Sequence, residues 1–291
     1  MPGPRVLLRA LRPRQWTKNL ALYAALLFAR KVTDRGALVT ETLAALAFCL
    51  LASGVYVLND WVDREKDRLH PDKKERPIAA GLISAPVAAA LCAVCWMAGG
   101  ALALHVGRSF AELAAGYVGL QLAYSFLLKR LVILDVVVIA IGFVLRVVGG
   151  GVAIDVPVSN WLYLCTLLLA LFLGFAKRRH ELSSLDIAAG AHRENLSEYT
   201  VPMLDQMISV VAASCILSYG LYTVSAETMA KVGSDHLKFT VPMVIYGIFR
   251  YLYLIHHKNL GGSPERVLLS DVPLMADLAL FVAVSGWALY R

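Results

Sequence analysis

Nine stretches of the chain are apolar for most of their length: residues 20–30, 41–58, 78–104, 109–127, 132–153, 160–176, 207–225, 239–256 and 272–290. Apolar runs of about 18 or more residues can cross a hydrocarbon core of roughly 30 Å as helices, and lipid leaves the backbone no other way to satisfy its hydrogen bonds short of a closed barrel. The pattern predicts an all-α polytopic membrane protein of nine transmembrane helices. Polar residues collect in three connections, 59–77, 128–135 and 177–206, with a shorter glycine-containing one at 257–271. The opposite connections are brief, as at 105–109 and 155–160, where Pro157 and the Gly149-Gly150-Gly151 run mark a turn or a break in the fifth span. The two long polar loops follow the second and sixth spans, so the chain reads as two related halves of about four helices each, alike in loop position and not in sequence. Residues 1–291 are expected to form a single transmembrane domain, with 1–19 an interfacial N-terminal segment.

A hydrophobic content of 58% and a mean hydropathy of +0.64 agree with this pattern, and the placement of charge orients it. A net charge of +7 would suit nucleic acid, but the basic residues are not spread over a surface. With the N-terminus in the cytoplasm, nineteen Lys and Arg fall in inside segments and seven outside, while Arg146 and Arg250 lie within spans. That asymmetry is the positive-inside bias, so the N-terminus and the charged loops are predicted to face the cytoplasm of a cell membrane. All five cysteines sit in apolar spans, and Cys92 and Cys95, although spaced CxxC, have nothing polar around them, so packing is the expected role. The basic N-terminus runs on without a small-residue cleavage site, and no removed signal peptide is expected.

The chemistry is concentrated where the second span ends. From Tyr56 to Pro77 the chain reads YVLNDWVDREKDRLHPDKKERP. At about 100° per residue, Tyr56, Asn59, Asp60, Asp63 and Asp67 fall within an arc of roughly 100° on one helical face. Exposed pairing with Arg64, Lys66 and Arg68 would be worth little, and polar residues at the membrane end of a span usually line a cavity. Asn59, Asp60, Asp63 and Asp67 are therefore expected to hold Mg2+, a hard cation that bridges oxygen ligands and a substrate phosphate, with Asp60, Asp63 and Asp67 as the catalytic carboxylates. In the following HPDKKERP, two prolines pin the backbone; Lys73 and Arg76 are expected to bind a diphosphate, Lys74 to be a solvated cation, and His70 to shape the loop.

Other cations gather on the same membrane face. In RPRQWTKN (12–19), Trp16 and the arginines are expected to anchor at the headgroups, whereas Lys18, one turn after Arg14, can turn inward to a phosphate. Arg146 lies mid-span, where a charge costs roughly 3 kcal/mol even on a lenient scale. Asp135 shares its face but is roughly 16 Å away along the axis, so an acid of another span, with Asp277 a candidate, or an anionic substrate must neutralise it; substrate is favoured. Tyr124 and Lys129 close the fourth span, and Lys177-Arg178-Arg179-His180-Glu181 closes the sixth, with Lys177, Glu181 and Ser184 on one face and Arg178 able to pair Glu181 at i+3. Tyr56, Tyr124, Lys18, Lys73, Arg76, Lys129, Arg146, Lys177 and Arg178 are the predicted substrate-binding set.

These residues resemble the UbiA superfamily of intramembrane prenyltransferases, whose first signature, NDxxDxxxD after span two, is matched by Asn59, Asp60, Asp63 and Asp67. The usual second signature, an aspartate pair after span six, is replaced here by KRRHEL. That replacement is similar to the decaprenyl-phosphate phosphoribosyltransferase branch, as are RPRQWTKN, HPDKKERPIAAG at 70–81, GFVLR at 142–146, SYGLYT at 218–223 and SPERVLLSD at 263–271. The resemblance implies a nine-helix bundle around a cytoplasm-facing polar cavity. It also implies phosphoribosyl diphosphate as donor, a polyprenyl phosphate as acceptor and Mg2+ as cofactor, in the supply of lipid-linked pentose to cell-wall polysaccharide. Extra phosphates on both substrates suit extra cations in place of carboxylates. Attack of the lipid phosphate on an oxocarbenium-like C1 would invert its configuration and need no general base, because a phosphate monoester is already anionic. An ordinary UbiA-type prenyltransferase with an aromatic acceptor and a transporter of a phosphorylated solute are the alternatives, the second disfavoured by the few polar residues in the outer halves of the spans. Nucleic acid is not an expected partner; chain length of the lipid and homo-oligomerisation stay open.

Overall fold

The computed structural model describes residues 2–69, 73–183, 194–258, 260–262, 267 and 270–290; His70, Asp72 and Ser184 of the motifs above lie outside them. Among the described residues every regular element is helical. The longer helices are α1 (Pro4–Leu11), α2 (Tyr23–Phe28), α3 (Arg35–Val62), α4 (Arg64–Leu69), α5 (Ala85–Val106), α6 (Arg108–Phe126), α7 (Leu134–Ala153), α8 (Asn160–Ser183), α9 (Val201–Val224), α10 (Ala226–Val232), α11 (Val241–Lys258) and α12 (Val272–Tyr290). Short 3-10 stretches at Pro13–Leu22, Leu128–Arg130, Glu194–Glu198 and His236–Thr240 connect them.

Among the described residues, seven segments are long and apolar enough to cross a membrane: α3, α5, α7, α8, α9, His236–Lys258 and α12. The nine-span pattern differs from this at two places. Where the first span is predicted, the chain forms a ten-residue 3-10 stretch followed by the six-residue α2, too short and irregular to count as a spanning helix. Where the fourth is predicted, α6 has the length, at 19 residues, but carries Arg108, Glu112 and Gln121.

Two compact units divide the chain: residues 1–131 with 142–158, and 132–141 with 159–291. In the first unit, α3 is the central helix. Asp34 caps it by accepting from the N–H groups of Gly36 and Ala37 at 2.9 and 3.2 Å, which satisfies two of its free donors. Its small residues let α5 approach closely: Trp96 occupies the space a side chain at Gly54 would need and donates to Leu51 O at 3.3 Å. Phe48, Phe110 and Tyr117 join α3 to α6 in a buried aromatic cluster. Gly150 of α7 similarly leaves room for the carbonyl of Leu22, so the irregular N-terminal stretch lies directly against a helix backbone.

The second unit is built on α8, α9, α11 and α12 around Phe172, Phe175, Leu204, Ile208, Tyr251 and Leu254. Asp271 binds Arg250 of α11 at 2.9 and 3.1 Å and accepts the Leu274 N–H at 3.0 Å, so one carboxylate caps α12 and ties it to its neighbour. Hydrogen bonding to Arg250 holds the Asp271 carboxyl below the usual carboxylate range.

Candidate functional site

At the end of α3 the predicted acid stripe is present, on a helix that is interrupted rather than continuous. α3 stops at Val62, Asp63 takes the cap position with φ −89° and ψ 6°, and α4 restarts at Arg64. The i to i+4 bonding survives the break, because Asp63 N–H reaches Asn59 O at 2.9 Å and Asp67 N–H reaches Asp63 O at 2.8 Å. Asp60 and Asp67 consequently stay on the inner side and are 2% and 4% exposed. The Asp63 side chain is one-third exposed.

Each carboxylate meets a cation. Arg76 Nη1 lies 3.1 Å from Asp60 Oδ1 and 2.6 Å from Asp67 Oδ2, bridging the two. Arg12 forms a second ion pair with Asp60, with its guanidinium 5.3 Å from the ring centre of Tyr56. Lys129, in the 3-10 turn after α6, reaches Asp63 at 3.3 Å. The loop that carries Arg76 is folded back firmly: Arg68 Nε donates to Ala79 O at 3.0 Å, and Ile78 and Ile83 are buried with Val57 and Ala88. Lys73 is half-buried in that loop and Lys74 exposed.

Arg12 was not foreseen as part of the site. It belongs to RPRQWTKN, whose arginines are predicted to sit at the headgroups, but the chain turns sharply at Arg12 (φ 54°, ψ 59°) between α1 and the 3-10 stretch. Trp16 departs from the same expectation by donating to the buried Ser53 Oγ at 3.1 Å. Ser53 in turn donates to Leu11 O at 2.9 Å, which seats the N-terminal stretch on α3. Lys18 is half-buried on that stretch, as are Tyr56 on α3 and Tyr124 on α6.

Arg146 is 3% exposed and is held by neutral groups: Nε donates to Asn19 Oδ1 at 2.8 Å, Nη1 to Gly142 O at 2.7 Å and Nη2 to the Tyr117 hydroxyl at 2.7 Å. Its guanidinium also lies 4.7 Å from the Tyr117 ring centre. No carboxylate is among these partners. Asp277, the sequence candidate, belongs to the second unit and lies against Gly247. Asn19, Gly142 and Tyr117 give the buried guanidinium hydrogen-bond acceptors and leave its charge in place.

The second unit brings together a separate buried set. Arg178, 2% exposed, donates from Nε to Asp135 Oδ2 at 2.7 Å and from Nη1 to Glu181 Oε2 at 2.6 Å. The i+3 pair with Glu181 follows from helix spacing; the pair with Asp135, 43 residues away, does not. Tyr199 donates to Asp135 Oδ1 at 2.9 Å, and burial pushes its phenol above the ordinary range. Lys177 is 4.0 Å from Glu181 Oε1 and its side chain is 42% exposed.

No described group of three or more Asp, Glu, His or Cys is gathered as a metal cage. Magnesium is commonly held by one or two carboxylates together with substrate phosphates and water, so a cage is not required. The fit is decided by Arg76: one positively charged nitrogen lies within 3.1 Å of carboxylate oxygens from both Asp60 and Asp67, marking a point where two buried acids share a cation. An all-oxygen donor set of this kind suits a hard divalent ion once the guanidinium moves aside.

A family model described as the UbiA prenyltransferase family matches residues 20–269. The chain is 33% identical over 295 aligned positions to a decaprenyl-phosphate phosphoribosyltransferase of Mycolicibacterium smegmatis, covering 98% of this chain and 92% of the relative. It is 32% identical to the decaprenyl-phosphate phosphoribosyltransferase of Corynebacterium glutamicum, covering 98% and 86%. Among solved structures, a UbiA homologue from Archaeoglobus fulgidus bound to GPP and Mg2+ superposes with a TM-score of 0.73 at 21% identity, covering 98% of this chain and all of that one.

Proposed function

Because the chain belongs to the UbiA prenyltransferase family, we propose that it transfers a 5-phosphoribosyl group from phosphoribosyl diphosphate to a polyprenyl phosphate and releases diphosphate. It is a multi-pass membrane transferase. What supports this reading most is that each aspartate of the α3–α4 junction is already paired with a basic side chain, so carboxylates and phosphate-binding cations share one place.

Asn59, Asp60, Asp63 and Asp67 are the residues that would hold Mg2+. When bound, the metal supplies a hard positive charge for the diphosphate oxygens and lowers the energy of the leaving group. The chain's own contribution begins with Arg76. Its planar fork leaves Asp60 and Asp67 for the diphosphate, assisted by Lys73, while Arg12 stays paired with Asp60. Lys18 and Lys129 are assigned to phosphate oxygens in the first unit, and Arg146 adds its charge from its buried seat. Lys177 is the exposed cation assigned to a substrate phosphate in the second unit, with Arg178 buried behind it. The lipid phosphate attacks ribose C1 opposite the departing diphosphate, the C1–O bond to diphosphate breaks, and configuration at C1 inverts. No side chain has to remove a proton, since the attacking oxygen is already anionic.

In this reading the N-terminal stretch and α6 make up the nine-segment bundle with the seven long helices, the N-terminus and the site face the cytoplasm, and the product supplies pentose for cell-wall polysaccharide. The test is to incubate the purified protein in lipid with labelled phosphoribosyl diphosphate, polyprenyl phosphate and Mg2+. A lipid-soluble labelled pentose phosphate is expected. Its absence, with transfer from a prenyl diphosphate to an aromatic acceptor instead, would assign the protein to the other activity of its family.

A further inference from the structure

Arg146 is a buried cation whose hydrogen-bond partners are all neutral, and its surroundings are built to keep it charged. Asn19, on the N-terminal 3-10 stretch, donates from Nδ2 to Cys49 Sγ of α3 at 3.1 Å, which turns its amide oxygen toward Arg146 Nε. Tyr117 of α6 offers its hydroxyl to Nη2 and is itself met by Gln121 Nε2, one turn further along that helix, at 3.0 Å. Gly142 O takes Nη1, so the side chain folds back by one turn along α7. Among the described residues, three of the five guanidinium N–H groups are engaged in this way, one on each nitrogen. One N–H on each of Nη1 and Nη2 remains.

An acid of the same unit is turned elsewhere. Glu41 of α3 is fully buried, and its Oε1 lies 2.7 Å from where a side chain at Gly150 would begin. Gly150 is one turn beyond Arg146 on α7, whereas the guanidinium is drawn to Gly142, one turn before it. Eight residues of helix, about 12 Å, separate those two levels. An arginine that served packing alone would gain from pairing with such an acid, because a buried charge without a counter-ion is costly. A charge kept open inside a membrane protein is what an anion site requires.

Depth and enclosure decide which anion. Lys129 on Asp63 brings the end of α6 and the start of α7 to the acid cluster. Tyr117 lies nine residues before the end of α6, Gly142 eight after the start of α7, and Asp60 two before the end of α3, so the guanidinium is roughly 10 Å deeper than Asp60. Tyr56 packs into the aromatic cluster of Tyr117 and carries Arg12 on its ring, so the two places adjoin. A donor whose diphosphate rests on the acids extends across its ribose to a second terminal phosphate, which reaches inward to this level. Asn19, Tyr117 and Arg146 are 2%, 0% and 3% exposed. A polyprenyl phosphate placed there would have to bury its chain in the packed core.

We propose that Arg146 binds the 5-phosphate of the donor, with Asn19 and Tyr117 as positioning residues that orient its guanidinium without neutralising it. This rests on the phosphoribosyl-transfer reading and gives one of the two substrate phosphates a definite place.

The experiment uses the full chain in lipid nanodiscs with Mg2+, phosphoribosyl diphosphate and polyprenyl phosphate, and compares inhibition by ribose 5-phosphate with inhibition by inorganic diphosphate. Asn19→Asp keeps the hydrogen bond to Nε and adds the negative charge that the wild-type seat lacks. Its unfolding temperature is expected to match wild type. The inhibition constant of ribose 5-phosphate and the KM of the donor are expected to rise about thirtyfold, while the diphosphate constant and the polyprenyl phosphate KM change by less than about threefold. A purely structural seat would accept the new Arg–Asp pair with every constant unchanged. Should Asn19→Asp not fold, Arg146→Gln is measured in its place, with the same selective loss expected. The proposal is overturned if ribose 5-phosphate does not inhibit wild type, if the folded variant is inhibited by it as strongly as wild type, if both inhibitors weaken equally, or if the polyprenyl phosphate KM rises in place of the donor's. Failure of the wild-type protein to transfer pentose would instead overturn the functional reading.

Discussion

Replacing Arg76 by Gln tests whether this guanidinium stands where a metal belongs. In the folded protein Arg76 Nη1 makes two charge-assisted contacts, at 3.1 and 2.6 Å, to carboxylates that are 2% and 4% exposed. Hydrogen bonds to charged groups contribute about 1.5–3 kcal/mol each. The Arg76 side chain is 30% exposed and Asp60 keeps Arg12, so screening and the remaining partner reduce the net loss to about 2 kcal/mol. A metal at about a hundred times its dissociation constant returns about 2.7 kcal/mol, enough to offset that loss. The assay is thermal unfolding in detergent, with EDTA and with Mg2+. Arg76→Gln is expected to unfold several degrees below wild type in EDTA and to recover in Mg2+. Wild type, whose site already holds a cation, is expected to shift little until diphosphate is added. Turnover of the variant is expected to fall by about a hundredfold, since a preorganised donor to the leaving diphosphate is lost. Equal Mg2+ shifts in both proteins, or none in the variant, would refute the stand-in role.

Asp63→Asn is expected to abolish transfer while changing stability by no more than about 1 kcal/mol, because the Asp63 side chain is one-third exposed and its pair with Lys129 is loose; activity assay and unfolding on the same sample decide it. Glu41→Met is expected to raise the unfolding temperature. Both oxygens of this fully buried carboxyl lack a hydrogen-bond partner among the described residues, an arrangement that costs about 1–3 kcal/mol and that a thioether of similar length removes. Asp271→Asn is expected to destabilise with a defined pH dependence. The folded carboxyl is held below its ordinary value by Arg250, so its contribution is present above the unfolded value of about 4 and is lost as pH falls through the folded one. The difference in unfolding temperature from wild type should be constant between pH 6 and 8 and shrink below pH 4.

Local information was enough to find the apolar helices, the acid cluster at the end of α3 and the i+3 pair of Arg178 with Glu181, since each follows from helical spacing within one segment. It did not reveal the partners that tertiary folding supplies. Asp60 meets Arg12 from 48 residues earlier, Arg146 meets Asn19 from 127 residues earlier, and Arg178 meets Asp135 across 43. Sequence periodicity carries no register between helices, so an arginine in RPRQWTKN reads as a headgroup anchor and the neutral acceptors around Arg146 stay hidden. The continuous stripe from Asn59 to Asp67 was legible as a face, but the cap at Asp63 was not, because the backbone continues its i to i+4 bonding across the break. The first apolar run misled for another reason: hydropathy measures the side chains and is blind to the 3-10 backbone that carries them.

That 3-10 stretch bears on how the chain enters the bilayer. Backbone that departs from an α-helix is tolerated at membrane depth only where protein surrounds it. For Pro13–Leu22 the surroundings come from Ser53, Cys49, Arg146 and the recess at Gly150, all synthesised later. The opening segment thus has no finished seat when it leaves the ribosome. Its hydrogen bond to Arg146 and its fit against Gly150 can form only after α7 has been made, so the seating of this stretch depends on a helix that lies much further along the chain.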